Sequence, residues 1–133
     1  MRRSVLADTG PLYAAVDPDD QYHLQAHEEM DRLEAAGLGV VIAYPTLLEA
    51  YTLVMQRLGI ATAHRWLDEI TDAAALIHPT PDDYASALLR IRAYTDQRLT
   101  LTDIVLATMS ARLSCPVWTY DHHFDLLRVA VWR

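Results

Sequence analysis

Short apolar runs alternate along this chain with longer segments in which apolar residues recur every three to four positions. The runs have the nearly continuous apolar character expected of strands that are buried on both faces of a parallel sheet. We predict a strand at each of five runs, at residues 4–7, 39–43, 74–78, 116–119 and 128–132.

The segments between these runs are predicted to be helices, several of which are bounded by glycine or proline. The second and third helices are separated by only a few residues and should form a helical hairpin. The fifth is almost wholly apolar, so we expect it to be central. The predicted helices cover residues 20–36, 45–58, 61 to about 71, 82 to about 94 and about 102–113.

The order of these elements, β-α-β-α-α-β-α-α-β-α-β, predicts an α/β fold. We expect a three-layer α/β/α sandwich around a mostly parallel sheet of four to five strands, formed by residues 1–133 as a single domain. In such sheets ligands bind at the carboxyl ends of the strands, so chemistry is expected there.

Composition narrows the function classes. The net charge is −7 and all eleven basic residues are arginine, which argues against nucleic-acid binding unless bound cations reverse the local charge. The single cysteine, Cys115, cannot form an internal disulfide, and no apolar run approaches the ~20 residues of a membrane span. We therefore expect a cytoplasmic protein with no membrane partner.

Four acidic residues stand alone in apolar sequence. Asp8 follows the first strand, Glu49 lies in the second helix, Asp103 lies in the first turn of the fifth helix, and Asp121 follows the fourth strand. On the predicted fold all four project from one edge of the sheet. Gathered carboxylates repel each other, and a divalent cation such as Mg²⁺ or Mn²⁺ relieves that repulsion. Such an ion can activate water for attack on a phosphodiester.

Each acid also has an ordinary structural interpretation. Asp8 is a possible helix N-cap, Asp103 suits the dipole of its helix, and Asp121 is a possible turn cap. Glu49 is hardest to explain this way, because the helix around it has no other charge from Thr46 to Met55.

Hydroxyl side chains accompany three of the acids. Thr9 follows Asp8, Thr102 precedes Asp103, and Thr119 comes two residues before Asp121. Thr9 and Thr119 are predicted to support the site by orienting carboxylates or water. Capping or β-propensity explains Thr102 better and Thr119 about equally well.

Two further candidates are weaker. Asp125 is a possible fifth acid, although a solvated turn position suits it better. His122 and His123 do not have metal-ligand spacing and are expected to be exposed, near the substrate.

Four segments together resemble the PIN domain, and in particular the small VapC-type toxins of toxin–antitoxin pairs. They are VLADTGPL at 5–12, PTLLEA at 45–50, LTLTDIVLA at 99–107 and VWTYDHHF at 117–124. The resemblance implies a metal-dependent endoribonuclease, with Asp8, Asp103 and Asp121 as metal ligands and catalytic residues and Glu49 as the helix glutamate that completes the set. Thr119 corresponds to the hydroxyl that accompanies the last acid, and Asp125 matches a less regular extra acid.

The resemblance further implies Mg²⁺ or Mn²⁺ as cofactor, RNA as substrate with 5′-phosphate and 3′-hydroxyl products, an antitoxin protein partner, and a homodimer. The helical hairpin over 45–71 is the candidate dimer surface, because Tyr51, Leu58 and Trp66 exceed one helix face. Packing in the core is an equally good explanation for these three side chains.

Two other functions stay open at this point. An aspartyl phospho-acceptor or phosphatase would also place Asp and Thr at strand ends, but this chain lacks the lysine that such sites generally use. A non-catalytic, metal- and partner-binding regulatory subunit would retain the same acids without cutting RNA.

Overall fold

A computed structural model describes residues 3–133 and contains a five-stranded, wholly parallel sheet in the order β3-β2-β1-β4-β5. The strands are short, and each pairs in parallel with at least one neighbour. Leu6 in the central strand, for example, pairs with Val41 on one side and Val117 on the other. The strands are β1 (Ser4–Ala7), β2 (Gly39–Ala43), β3 (Ala75–Ile77), β4 (Val117–Trp118) and β5 (Val131–Trp132).

Seven α-helices connect the strands in the described part of the chain. Two of them, α3 and α4, form the predicted hairpin, and Gly59 at their junction takes the positive φ of 92° that an L side chain rarely adopts. The helices are α1 (Thr9–Ala14), α2 (His23–Ala35), α3 (Tyr44–Leu58), α4 (Ile60–Ala73), α5 (Pro81–Arg90), α6 (Leu101–Leu113) and α7 (His123–Leu126).

The sheet separates two hydrophobic cores. Alternate residues of β1 point to opposite faces, so that Val5 and Ala7 pack with α1 to α4 while Leu6 packs with α5 to α7. This is the predicted three-layer α/β/α arrangement. Helix α6 is buried along much of its length, as its apolar sequence predicted.

The structure differs from the predicted elements mainly in its short strands and short helices. The predicted strands at 116–119 and 128–132 each shrink to two residues, and the fourth helix stops at Arg90, where a 3₁₀ turn follows. Helix α1 was not predicted, because its six residues include Gly10 and Pro11 and are too few to show a helical period.

The three side chains that suggested a dimer surface on the hairpin pack against the core. Trp66 is 4% exposed and belongs to the core beneath α3 and α4, and both Tyr51 and Leu58 pack against that core. Of the two explanations given for Trp66, core packing is therefore the correct one, since its large ring fills the space between the helix pair and the sheet. No helix between residues 3 and 133 has the length and apolar character needed to cross a membrane.

Candidate active site

All four lone acids line one cavity of about 450 Å³. Asp8 follows β1, Asp121 follows β4, Glu49 lies in the second turn of α3 after β2, and Asp103 lies in the first turn of α6. The carboxyl ends of parallel strands meet at one edge of the sheet, and the helices that start there bring their first turns to the same place. We call this space the acid cavity.

Asp8 is the most deeply buried of the four acids, with 8% of its surface exposed. Its pKa is raised to about 6, chiefly by burial and to a smaller extent by the charges of Asp103 and Asp121. The Thr119 hydroxyl donates a hydrogen bond of 2.8 Å to Asp8 Oδ2 and partly offsets this rise. Asp8 does occupy the N-cap position of α1, as one interpretation predicted, but its side chain makes no capping hydrogen bond.

Asp103 has two roles at once. Its Oδ2 accepts a hydrogen bond of 3.2 Å from the backbone N–H of Thr100, while the Thr100 hydroxyl accepts from the backbone N–H of Asp103, forming a capping box. Its Oδ1 makes no hydrogen bond with any described residue. Burial raises the pKa of Asp103, and the charge of Asp121 adds to the rise. Asp103 is therefore both a helix cap and a wall of the acid cavity.

Glu49 is the most open member of the set. Partial burial raises its pKa, followed by the charge of Asp103, while the Thr102 hydroxyl lowers it. The mutual electrostatic effects among Asp8, Glu49, Asp103 and Asp121 show that the four carboxylates form one interacting group.

Asp121 sits in a turn that Thr119 holds. The Thr119 hydroxyl accepts a hydrogen bond of 2.9 Å from the backbone N–H of Asp121 and donates to Asp8, so one side chain connects both acids. Asp121 Oδ1 accepts from the backbone N–H of His123 and lies 3.2 Å from His123 Nδ1. The turn-cap interpretation therefore holds for one oxygen, and Oδ2 is left without a hydrogen bond in the described structure.

Thr9, predicted as a supporting residue, lines the cavity, and its buried hydroxyl has no hydrogen-bond partner among residues 3–133. A buried hydroxyl in that state is costly unless a ligand or water completes it. Asp125, by contrast, does not line the acid cavity; it is exposed and lies 3.5 Å from Arg133.

A divalent cation fits the chemistry of this cavity. Asp8, Glu49 and Asp103 form no ion pair with any described residue, so their charges are not balanced by protein cations within contact distance. Oxygen donors of this kind suit Mg²⁺ and Mn²⁺. Within residues 3–133, no three Asp, Glu, His or Cys side chains are arranged to hold an ion as they stand, so binding would have to draw the carboxylates together.

Several cavity residues were not predicted from the sequence. Arg57 and Arg98 bring positive charge to a mainly acidic wall, and Thr100 rather than Thr102 caps Asp103. A signal for two of them exists in hindsight. Thr100 and Asp103 have the three-residue spacing of a capping box, and Arg57 is eight residues, about two turns, beyond Glu49 on the same helix.

His123 lies in the acid cavity, whereas His122 lines a second space of about 750 Å³ on the other side of Tyr120. We call this second space the side groove. The two spaces lie side by side, because their walls share Gln21, Tyr22, Tyr120 and Asp121.

No family model and no curated protein matches the sequence. Solved structures do match over almost the whole chain. The VapC20 toxin of Mycobacterium tuberculosis, described as cleaving the sarcin–ricin loop, has a TM-score of 0.84 at 20% identity and covers 98% of this chain and 99% of its own.

Two further structures agree. VapBC2 of Rickettsia felis, bound to a promoter DNA fragment, has a TM-score of 0.74 at 12% identity and covers 97% of this chain and 96% of its own. FitAcB of Neisseria gonorrhoeae has a TM-score of 0.67 at 18% identity, with coverages of 97% and 96%. The PIN-like fold predicted from the sequence is therefore confirmed, since this chain shares its fold with these structures.

Proposed function

We propose that this protein is a Mg²⁺- or Mn²⁺-dependent endoribonuclease and the toxin of a toxin–antitoxin pair. The observation that carries the proposal is the convergence of four otherwise isolated carboxylates in one cavity, on a fold shared with a toxin that cleaves the sarcin–ricin loop. A cavity in which Asp8, Glu49 and Asp103 form no ion pair with a described residue is a poor site for a phosphodiester unless metal ions enter with it.

The residues of the acid cavity have different proposed roles, which follow from their positions. Asp8, Asp103 and Asp121 would hold the metal, with Glu49 completing the set at the open side of the cavity. A bound ion would supply Lewis-acid stabilisation of the phosphoryl oxygens and lower the pKa of water. The Thr119 hydroxyl positions both acids, since it donates a hydrogen bond to Asp8 and accepts one from the backbone N–H of Asp121.

Arg57 and Arg98 provide the positive charge that the chain itself contributes. Both line the acid cavity, where they can contact phosphates flanking the scissile bond. This answers the objection raised by the net charge of −7, because the local charge at the site depends on the bound metal and these guanidinium groups.

The test is cleavage of single-stranded and structured RNAs by purified protein with Mg²⁺ or Mn²⁺. We expect products with 5′-phosphate and 3′-hydroxyl ends, and loss of at least a hundredfold in rate for Asp8→Asn. The matched control is Asp72→Asn, which removes the same charge from an exposed position on α4. Equal cleavage by Asp8→Asn rejects the mechanism, and metal binding without any cleavage supports a regulatory subunit instead.

An antitoxin partner and a homodimer belong to the same proposal. Two of the matching structures, from Rickettsia felis and Klebsiella pneumoniae, are described as a VapBC2 assembly and a toxin–antitoxin complex. We expect a solution mass of twice the 15.0 kDa chain, and inhibition of cleavage when the product of a neighbouring short gene is added. A monomer at micromolar concentration would contradict the dimer alone.

A further inference from the structure

The acid cavity is bordered by a stacked aromatic pair that the metal-dependent mechanism does not use. The rings of Tyr22 and Tyr120 have centroids 4.5 Å apart and planes inclined by 27°. We propose that this pair is a nucleobase-binding site, which receives an unpaired base of the RNA while the adjacent phosphate lies at the acids. The proposal rests on RNA being the ligand, as in the proposed function.

The pair is held in place by a buried carboxylate. Glu29 on α2 is only 6% exposed, and its Oε1 accepts hydrogen bonds from the Tyr120 hydroxyl at 2.5 Å and from Trp118 Nε1 at 3.3 Å. No described basic residue forms an ion pair with it. Burying a carboxylate is costly unless hydrogen bonds satisfy it. The hydrogen bond from the Tyr120 hydroxyl to the buried Glu29 therefore fixes the position of the Tyr120 ring.

Successive side chains of the extended segment 118–120 point to opposite sides, so the aromatic pair and the acids lie on either side of it. Trp118 and Tyr120 point towards Glu29, whereas the Thr119 hydroxyl points towards Asp8. Asp121 follows Tyr120 directly. A nucleotide with its phosphate beside Asp121 therefore has the aromatic pair within the reach of its base.

The position of the pair between two spaces supports a strand path. Tyr22 and Tyr120 form part of the wall of both the acid cavity and the side groove. Arg32 also lines the side groove, where its guanidinium carbon lies 4.9 Å from the centroid of the Trp132 ring. Proteins that bind single-stranded nucleic acid stack bases on aromatic side chains and contact the backbone with cationic ones. In the side groove the cations are Arg32 and Arg133, which lie among the acids Glu28, Glu29 and Asp121.

Tyr22 is the side chain to change, because its hydroxyl makes no hydrogen bond within residues 3–133 and Tyr120 is tied to Glu29. The experiment measures binding of a fluorescent RNA octamer and of an abasic octamer of the same backbone, in Ca²⁺, with a gel check that both stay intact. Wild-type protein should bind the base-bearing octamer roughly tenfold more tightly than the abasic one. Tyr22→Phe should retain this preference, and Tyr22→Leu should remove most of it.

Tyr84→Leu is the control, since Tyr84 is an exposed tyrosine on α5 that lines neither space. The proposal is overturned if wild-type protein binds both octamers equally, if Tyr22→Leu keeps the preference, or if Tyr22→Leu weakens binding of the abasic octamer to the same extent. Cleavage with Mn²⁺ is scored separately, so a protein that stacks bases but does not cut RNA refutes the proposed function and leaves this site standing.

Discussion

The hydroxyl of Thr119 lies 2.8 Å from Asp8 Oδ2 and donates its hydrogen bond to that buried carboxylate. The two residues are 111 positions apart in the chain, at the carboxyl ends of adjacent strands β1 and β4. The carboxyl ends of β1 and β4 come together only when the parallel sheet forms, so the contact exists only in the folded state. The contact fixes the position of the Asp8 carboxylate, whose raised pKa makes its ionisation a measurable property of folding.

The first prediction concerns the pH dependence of stability without metal. The pKa of Asp8 rises from 3.8 to about 6 on folding, so the folded state holds this proton more tightly than the unfolded chain does. The associated stability is complete below pH 3.8 and is lost as the pH rises through 6, with a total of roughly 3 kcal/mol. In Asp8→Asn this contribution is absent.

Urea unfolding in EDTA at pH 5 and pH 8 measures this effect. Asp8→Asn should gain stability relative to the wild type on going from pH 5 to pH 8, and should be the more stable protein at pH 8. A difference between the two proteins that does not change with pH would show that burial does not perturb Asp8.

The strands and long helices could be predicted because their signals are local. β1 and β2 have the predicted bounds, because each is a short segment that is apolar apart from its first residue, Ser4 or Gly39. Helix α1 could not be predicted, because it is defined by packing of Leu12 and Tyr13 against the core rather than by its own period.

The lone acids could be predicted for a different reason. A charge that stands alone in an apolar segment needs a partner or a function, and that reasoning selected Asp8, Glu49, Asp103 and Asp121. Tyr22 and Glu29 could not be selected in this way. They lie on a helix and loop rich in other polar residues, and only the folded chain shows that Glu29 is buried behind Tyr120.

The second prediction concerns metal binding. If the acid cavity binds Mn²⁺ as proposed, the ion at 100 times its dissociation constant should stabilise the folded state by about 2.7 kcal/mol, which is roughly 10 °C in melting temperature for a chain of this size. Asp103→Asn should lose most of this shift, because the substitution removes a charge from the cavity while the amide oxygen can keep the cap of α6. Asp72→Asn should show the full shift. The same shift in all three proteins would place the ion elsewhere.

The third prediction concerns the ion pair that joins the two helices behind the site. Arg112 on α6 donates hydrogen bonds of 2.9 and 2.7 Å to the two carboxylate oxygens of Asp83 on α5, and the Asp83 side chain is 3% exposed. The Arg112 guanidinium lowers the pKa of Asp83, so the stability from this pair is present above pH 3.8 and is lost as the pH falls through the lowered pKa.

Arg112→Met leaves Asp83 buried and unpaired, which is more costly than removing both charges. We expect a melting temperature several degrees lower at pH 7, and a smaller deficit as the pH approaches 4 and Asp83 becomes protonated. Arg92→Met, at an exposed position just after α5, is the control and should have little effect. A deficit that is constant with pH would show that lost packing rather than the charge of Asp83 is responsible.

The fourth prediction assigns Arg57 to the substrate phosphate. Its guanidinium carbon lies 5.2 Å from the centroid of the Tyr13 ring, and the Tyr13 hydroxyl in turn donates to Asp17 Oδ2, so the arginine is held at the wall of the acid cavity without an ion pair. Such an arginine can contact a phosphate beside the scissile one, where it strengthens binding of substrate and transition state alike. Arg57→Gln should therefore raise KM several-fold with little change in kcat, and should reduce the slope of log affinity against log salt by about 0.7.

Arg65→Gln removes an equivalent charge from the exposed side of α4, and it should alter neither quantity. A fall in kcat with KM unchanged would instead place Arg57 in contact with charge that develops only in the transition state.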